Sequence, residues 1–214
     1  MELIHWFIDV VLHLDRHLVD LMQQYGVWIY AILFLIIFSE TGFVVTPFLP
    51  GDSLLFAVGA LAAVDTSGTL TAPLASVLLA AAAILGNTLN YSIGRWIGPP
   101  AFSGRYRFLK VEYLRRTEEF FIRHGGKTIV LSRFVPIIRT FAPFVAGVGR
   151  MPYGRFQAYN IAGGVSWVMI FIWGGYLFGN IPIIKNNFGI VTILIVIVSL
   201  LPLAGALARS RRPA

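Results

Sequence analysis

SRFVPIIRTFAPFVAG, residues 132–147, is apolar enough to lie in a membrane, yet it carries Arg133 and Arg139 on either side of Pro136, with Pro143 beyond. A plain apolar helix would insert more easily, because one charge at mid-membrane costs about 2.5–3.5 kcal/mol on insertion scales. Proline in a helix interior removes a backbone hydrogen bond, so the segment reads as a broken helix. A second stretch has the same character. SETGFVVTPFLPGDS, residues 39–53, sets Glu40 and Asp52 in apolar surroundings and breaks at Pro47, Pro50 and Gly51. The fold and the function are read outward from these two segments.

The 214 residues are 57% hydrophobic and 13% charged. A soluble domain carries about a quarter charged residues, so the chain is an all-α, polytopic membrane protein. With no cysteine, disulfides and thiolate chemistry are excluded. MELIHWFIDVV starts acidic and lacks the basic start of a secretory signal. The formal charge of +7 is concentrated in loops and at the C-terminus, where it sets topology and meets anionic lipid rather than nucleic acid.

Along residues 3–24, His5, Asp9, His13, Arg16, Asp20 and Gln24 make one polar stripe, the pattern of a helix lying on the membrane surface. This gives an N-terminal interfacial segment, 1–26, ahead of a membrane domain, 27–207. The apolar run 27–38 is twelve residues, about 18 Å of helix against a ~30 Å hydrocarbon core. It breaks at Ser39 and Glu40 and resumes at 54–64, which predicts a re-entrant hairpin over 27–64. The opening segment predicts a second, over 128–149. Full spans are expected at 74–97, 156–179 and 188–207, followed by a basic tail, 208–214. On the first span Gly86, Asn90, Gly94 and Gly98 recur every fourth residue and give a small, polar face for close packing. Asn87, Asn90 and Tyr91 are candidates to line a path, or equally to pack polar groups between helices.

Basic residues crowd the 98–127 loop, the 150–155 turn and the tail, so these face the cytoplasm and the C-terminus lies inside. The 65–69 and 180–187 loops face outward, as does the N-terminal helix. The first hairpin then enters from outside and the second from the cytoplasm. TPFLPG at 46–51 echoes APFVAG at 142–147. Opposed entry and internal echo together predict an inverted repeat, in which broken helices meet around a substrate site near the midplane.

Four charges on lipid-facing surface would cost roughly 10–14 kcal/mol, so they pair, face a wet cavity, or both. Acids in one hairpin and arginines in the other suit pairing across the repeat. Guanidinium keeps its charge when buried and offers a planar fork matched to phosphate oxygens. On an unbroken helix, Arg133 and Arg139 would point about 240° apart; the break at Pro136 lets both turn to one site. A carboxyl group in apolar surroundings can exchange protons near neutral pH, which gives Glu40 and Asp52 a role in proton coupling or ion pairing.

FLIIFSETGFVVTPFLPGDSLLFAVGALA, LGNTLNYSIGRWIG, FIRHGGKTIVLSRFVPIIRTFAPFVAGVGRM and YNIAGGVSWVMIFIWGGYLFG resemble the DedA family, also called SNARE-associated Golgi or VTT-domain proteins. The resemblance runs over roughly residues 20–180 and is most specific in E-x₁₁-D and R-F-x-P-x-x-R. It implies a double re-entrant fold and a flippase or scramblase in the bacterial inner membrane. The cargo it implies is undecaprenyl phosphate or a phospholipid, with dependence on the proton motive force. The family's functional acids and arginines map onto Glu40, Asp52, Arg133 and Arg139. Many members carry an aspartate where this chain has Asn87, so a charge-dependent role there does not carry over.

Two other functions suit the residues less well. An enzyme would need a base near a nucleophile; the four histidines, His5, His13, His17 and His124, lie in surface helices or loops, and Ser166 in GVSW suits helix packing. No enzyme, cofactor or metal site is therefore expected. A proton-coupled antiporter of small cations or drugs would use the same carboxylates but reduce the arginines to counter-ions.

Overall fold

In a computed structural model of the chain, the structure describes residues 14–43, 51–101 and 125–182, together with 184, 190, 191, 194 and 195. These are helical, with short turns and no strand among the described residues. The helices are α1 (Leu14–Tyr25), α2 (Ile29–Gly42), α3 (Gly51–Ala62), α4 (Ala72–Ala101), α5 (Gly125–Ser132), α6 (Pro136–Val148) and α7 (Tyr153–Phe178). Three stretches, Arg16–Gly42, Ala72–Gly98 and Tyr153–Phe178, are long and apolar enough to cross a membrane, while Gly51–Ala62 and Ile138–Val148 are shorter apolar helices. Pro47 and Pro50, most of the 98–127 loop, most of the 188–207 span and the basic tail lie outside the described residues.

One sequence expectation changes here. The run from Val27 was expected to stand alone as a half-length arm. Instead, α1 and α2 are separated only by a single 3₁₀ turn, Gly26–Trp28. Gly26 takes φ 52, a conformation glycine adopts at little cost, so the chain is interrupted but not released from helix. The arm gains the length of α1, and Arg16–Gly42 spans 27 residues.

The chain forms two compact units. One comprises Met1–Phe34, Pro50–Leu79 and Val168–Ala214. In it α1 packs on α3, and Leu18, Ile29, Leu33, Leu55 and Val58 are buried. Between helices in lipid the hydrophobic effect gives little drive, so close backbone approach carries the packing. A methyl group on Gly59 of α3 would strike the Ile172 carbonyl of α7, and one on Gly175 would strike the Phe56 carbonyl. Asn180 Nδ2 adds a hydrogen bond to the Ala60 carbonyl at 3.1 Å. The loop before α4 is closed by Asp65, whose carboxylate accepts from the amides of Leu70 at 2.7 Å and Ser67 at 2.8 Å. Those bonds, the Leu70 amide first, hold its pKa below the usual value. Thr71 N–H donates to the Tyr30 hydroxyl at 2.8 Å.

The other unit comprises Leu35–Leu49 and Ala80–Trp167. Its core gathers Tyr91, Ile129, Ala142, Ala146, Met151 and Phe156. The Tyr91 and Phe156 rings stack at 4.3 Å. The four-residue stripe on α4 is the packing seam. Gly86 meets Thr41 and the Phe38 carbonyl, Gly94 meets the Phe144 carbonyl, and Gly98 lies against Val148. Gly147 of α6 returns the contact at the Tyr91 carbonyl. Asn90, the polar member of the stripe, donates from Nδ2 to the carbonyls of Thr140 at 2.8 Å and Thr41 at 3.2 Å.

Candidate functional site

The opening segment folds as two helices around a tight turn. Past α5 the backbone changes from i→i−4 to i→i−3 bonding, with Arg133 N–H to Val130, Phe134 N–H to Leu131 and Val135 N–H to Ser132. Val135 is extended at φ −125, ψ 104, and Pro136 starts α6. Proline suits that first helical position because an amide there would have no intrahelical acceptor. The break turns both arginines inward. Arg133 is 2% exposed and Arg139 6%.

The two side chains have different company. Arg139 forms an ion pair with Glu40, itself fully buried at the end of α2. Its guanidinium also lies over the Trp167 ring, 5.2 Å from the centroid, a cation–π contact. Arg133 donates from one terminal nitrogen to Asn160 Oδ1 at 2.6 Å and, at 3.4 Å each, to the backbone carbonyls of Asn160 and Ala83. These acceptors are all neutral. Among the described residues Arg133 has no ion pair, and its buried Nε has no hydrogen-bond partner. The arginine side chain lies along α7 where Gly163 and Gly164 leave the backbone bare. A Cβ on Gly163 would sit 3.3 Å from Arg133 Cδ, and one on Gly164 3.2 Å from its terminal nitrogen.

The remaining expected site residues fall as follows. Asp52 is buried in the first turn of α3, in the other unit, where the helix dipole favours a carboxylate. Asn87 is buried. Asn90 and Tyr91 are engaged with backbone: the Tyr91 hydroxyl donates to the Met151 carbonyl and accepts from Arg95 at 2.9 Å. Gly51 opens α3 and Pro143 lies inside α6.

Four residues at the site were not singled out from sequence: Asn160, Gln157, Thr88 and Trp167. Tyr153, Gln157 and Asn160 follow i, i+4, i+7 spacing on α7, a polar face on a span that is apolar beyond its first turns, and that was the available signal.

Comparison with known proteins identifies the family. The VTT domain family matches residues 49–177. The chain is 51% identical to Protein DedA of Escherichia coli K12 over 215 residues, covering 100% of this chain and 98% of the relative. It is 41% identical to the uncharacterized membrane protein Rv0364 of Mycobacterium tuberculosis H37Rv, covering 84% of this chain and 79% of the relative. With the inner membrane protein YqjA of E. coli K12 it shares 36% identity, covering 72% and 70%. No solved structure matches. Broken helices with buried arginines, a VTT domain over more than half the chain and end-to-end similarity to DedA lead to one conclusion: the chain belongs to the DedA family of VTT-domain membrane proteins.

Proposed function

We propose that this protein is a lipid translocase that moves a phosphate-bearing lipid, such as undecaprenyl phosphate or a phospholipid, across the bacterial inner membrane. Arg133 and Arg139 receive the phosphate, and Glu40 and Asp52 govern its release by taking up and losing protons. The two broken segments act as opposed re-entrant hairpins of an inverted repeat. One observation carries the reading: a buried guanidinium, Arg133, answered among the described residues only by neutral acceptors. An uncompensated buried charge costs several kcal/mol, and a bound anion relieves that cost. Arginine does not usefully change its charge, so release falls to a group that can. Deprotonated Glu40 competes with phosphate for Arg139, and protonated Glu40 yields it.

The test is headgroup movement in reconstituted vesicles. It compares a fluorescent phosphatidylglycerol with a phosphate-free glycolipid, at several pH values, with cation movement followed in parallel. Arg133→Lys and Arg139→Lys keep the charge but lose the fork, removing a charge-assisted hydrogen bond. Each is expected to slow phosphate-lipid movement about 10- to 100-fold. Glu40→Gln is expected to move lipid with its pH dependence flattened. Equal movement of the glycolipid, or full activity in both lysine variants, overturns the proposal. Proton-coupled cation movement without lipid movement assigns the protein to the antiporters instead.

A further inference from the structure

Leading to Arg133 runs a set of polar side chains that the mechanism above does not use. Tyr153, Gln157 and Asn160 share one face of α7, opposite Thr88 on α4. Gln157 Nε2 donates to the Tyr153 hydroxyl at 2.7 Å and to Thr88 Oγ1 at 2.9 Å. Asn160 Nδ2 lies within bonding reach of Gln157 Oε1 at 3.0 Å, the Ile84 carbonyl at 3.0 Å and Thr88 Oγ1 at 3.2 Å. Its two hydrogens serve three acceptors, so its amide orientation is fixed and Oδ1 is left for Arg133. The series is graded in depth: Tyr153 is 50% exposed, Gln157 half-buried, and Asn160 and Arg133 buried.

We propose that these side chains form a polar lane by which a phosphate group reaches Arg133 from the Tyr153 end of α7. Asn160 is the positioning residue at its inner end. The chemistry of the rungs is what suits them to this. Their amide hydrogens and the Thr88 hydroxyl are engaged with one another and with the Ile84 carbonyl, so an arriving anion exchanges these neutral bonds for its own, and no rung carries a negative charge that would hold the guanidinium against it. Asn160 steadies Arg133 through one terminal nitrogen, while the unpartnered Nε remains as a donor for the anion. Gly163 and Gly164 keep the neighbouring backbone bare, so the Arg133 side chain can lie close along α7. The lane rests on the reading that a phosphate-bearing lipid is the cargo, and it specifies how the headgroup is received.

Asn160→Asp is the decisive variant, because it keeps the shape and sets a carboxylate against Arg133, read at alkaline pH where that group is ionised. If Asn160 merely braces the fold, the new ion pair leaves phosphate handling untouched. If Arg133 is the anion's station, the carboxylate displaces the anion. The expected result is a half-saturating concentration of fluorescent phosphatidylglycerol raised about tenfold or more. The stabilisation of the purified protein by inorganic phosphate should be lost as well, with its unliganded thermal midpoint kept or raised. Gln157→Glu, at a less buried rung that tolerates charge, gives the same readouts should Asn160→Asp fail to fold, and a weaker response to both probes is expected. Competition of inorganic phosphate with lipid movement supports the lane. Phosphate that stabilises the protein without competing makes free phosphate the ligand and overturns it. Wild-type protein that moves no phosphate lipid removes the transport reading. Wild-type movement left unchanged by the two variants removes the lane alone.

Discussion

Arg133 and Arg139 are both buried, six positions apart, and the fold treats them as different reagents. Arg139 is answered by a carboxylate and an aromatic face, whereas Arg133 is answered by amide and carbonyl oxygens. Removing one partner of a buried ion pair costs about 3–5 kcal/mol, while removing both costs far less. Arg139→Gln alone is therefore expected to destabilise the protein severely, and Glu40→Gln with Arg139→Gln to recover much of the loss. Thermal unfolding of the four proteins in detergent, read as a double-mutant cycle, measures this; strict additivity would show that the pair contributes no coupling. The charged members were legible in sequence because a charge in an apolar run is conspicuous. Asn160 was not, since a neutral amide barely disturbs hydropathy and its importance lies in what it touches. Asn90 and Tyr91 were noticed, but each donates to backbone carbonyls, which no sequence pattern displays.

At the scale of elements, two devices organise the chain: helix breaks and bare glycine contacts. The break at Pro136 and the packing stripe on α4 could both be read from residue spacing. The length of the first arm could not, because one glycine at φ 52 interrupts α1 without ending the helical run. The glycines also differ among themselves in a way that sequence hides. A methyl group at Gly94 or Gly147 meets a backbone carbonyl that has no freedom to swing aside, whereas at Gly174 it meets no described atom within 4 Å. Gly94→Ala and Gly147→Ala are each expected to cost about 1–3 kcal/mol or more. Gly174→Ala is expected to be neutral or to stabilise by about 0.5–1 kcal/mol, since glycine is the poorer helix former. Thermal midpoints in one detergent separate the two classes, and equal losses at all three sites would contradict the packing described.

For the molecule as a whole, loop charge predicts a topology that the absence of cysteine makes straightforward to test. Single cysteines at Ser67 and Gly154 occupy exposed positions, and an impermeant thiol reagent is expected to label the first from outside and the second only after the membrane is opened. Labelling of the second from outside would refute a re-entrant path for the segment that ends at Val148. Membrane character and family were plain in composition and motifs. The division into two compact units was not, because it depends on which distant helices meet.

The contacts of α3 with α7 have a mechanical side. Where Gly59 sits on the Ile172 carbonyl and Gly175 on that of Phe56, there is no side chain between the backbones to act as a lubricant. Sliding one helix along the other, even by part of a turn, would bring a Cβ onto a carbonyl oxygen. These two helices therefore travel as a single stave. Shear along this seam is blocked, so bending within their unit falls to places where the α-helical run is interrupted, of which the 3₁₀ turn at Gly26 is one.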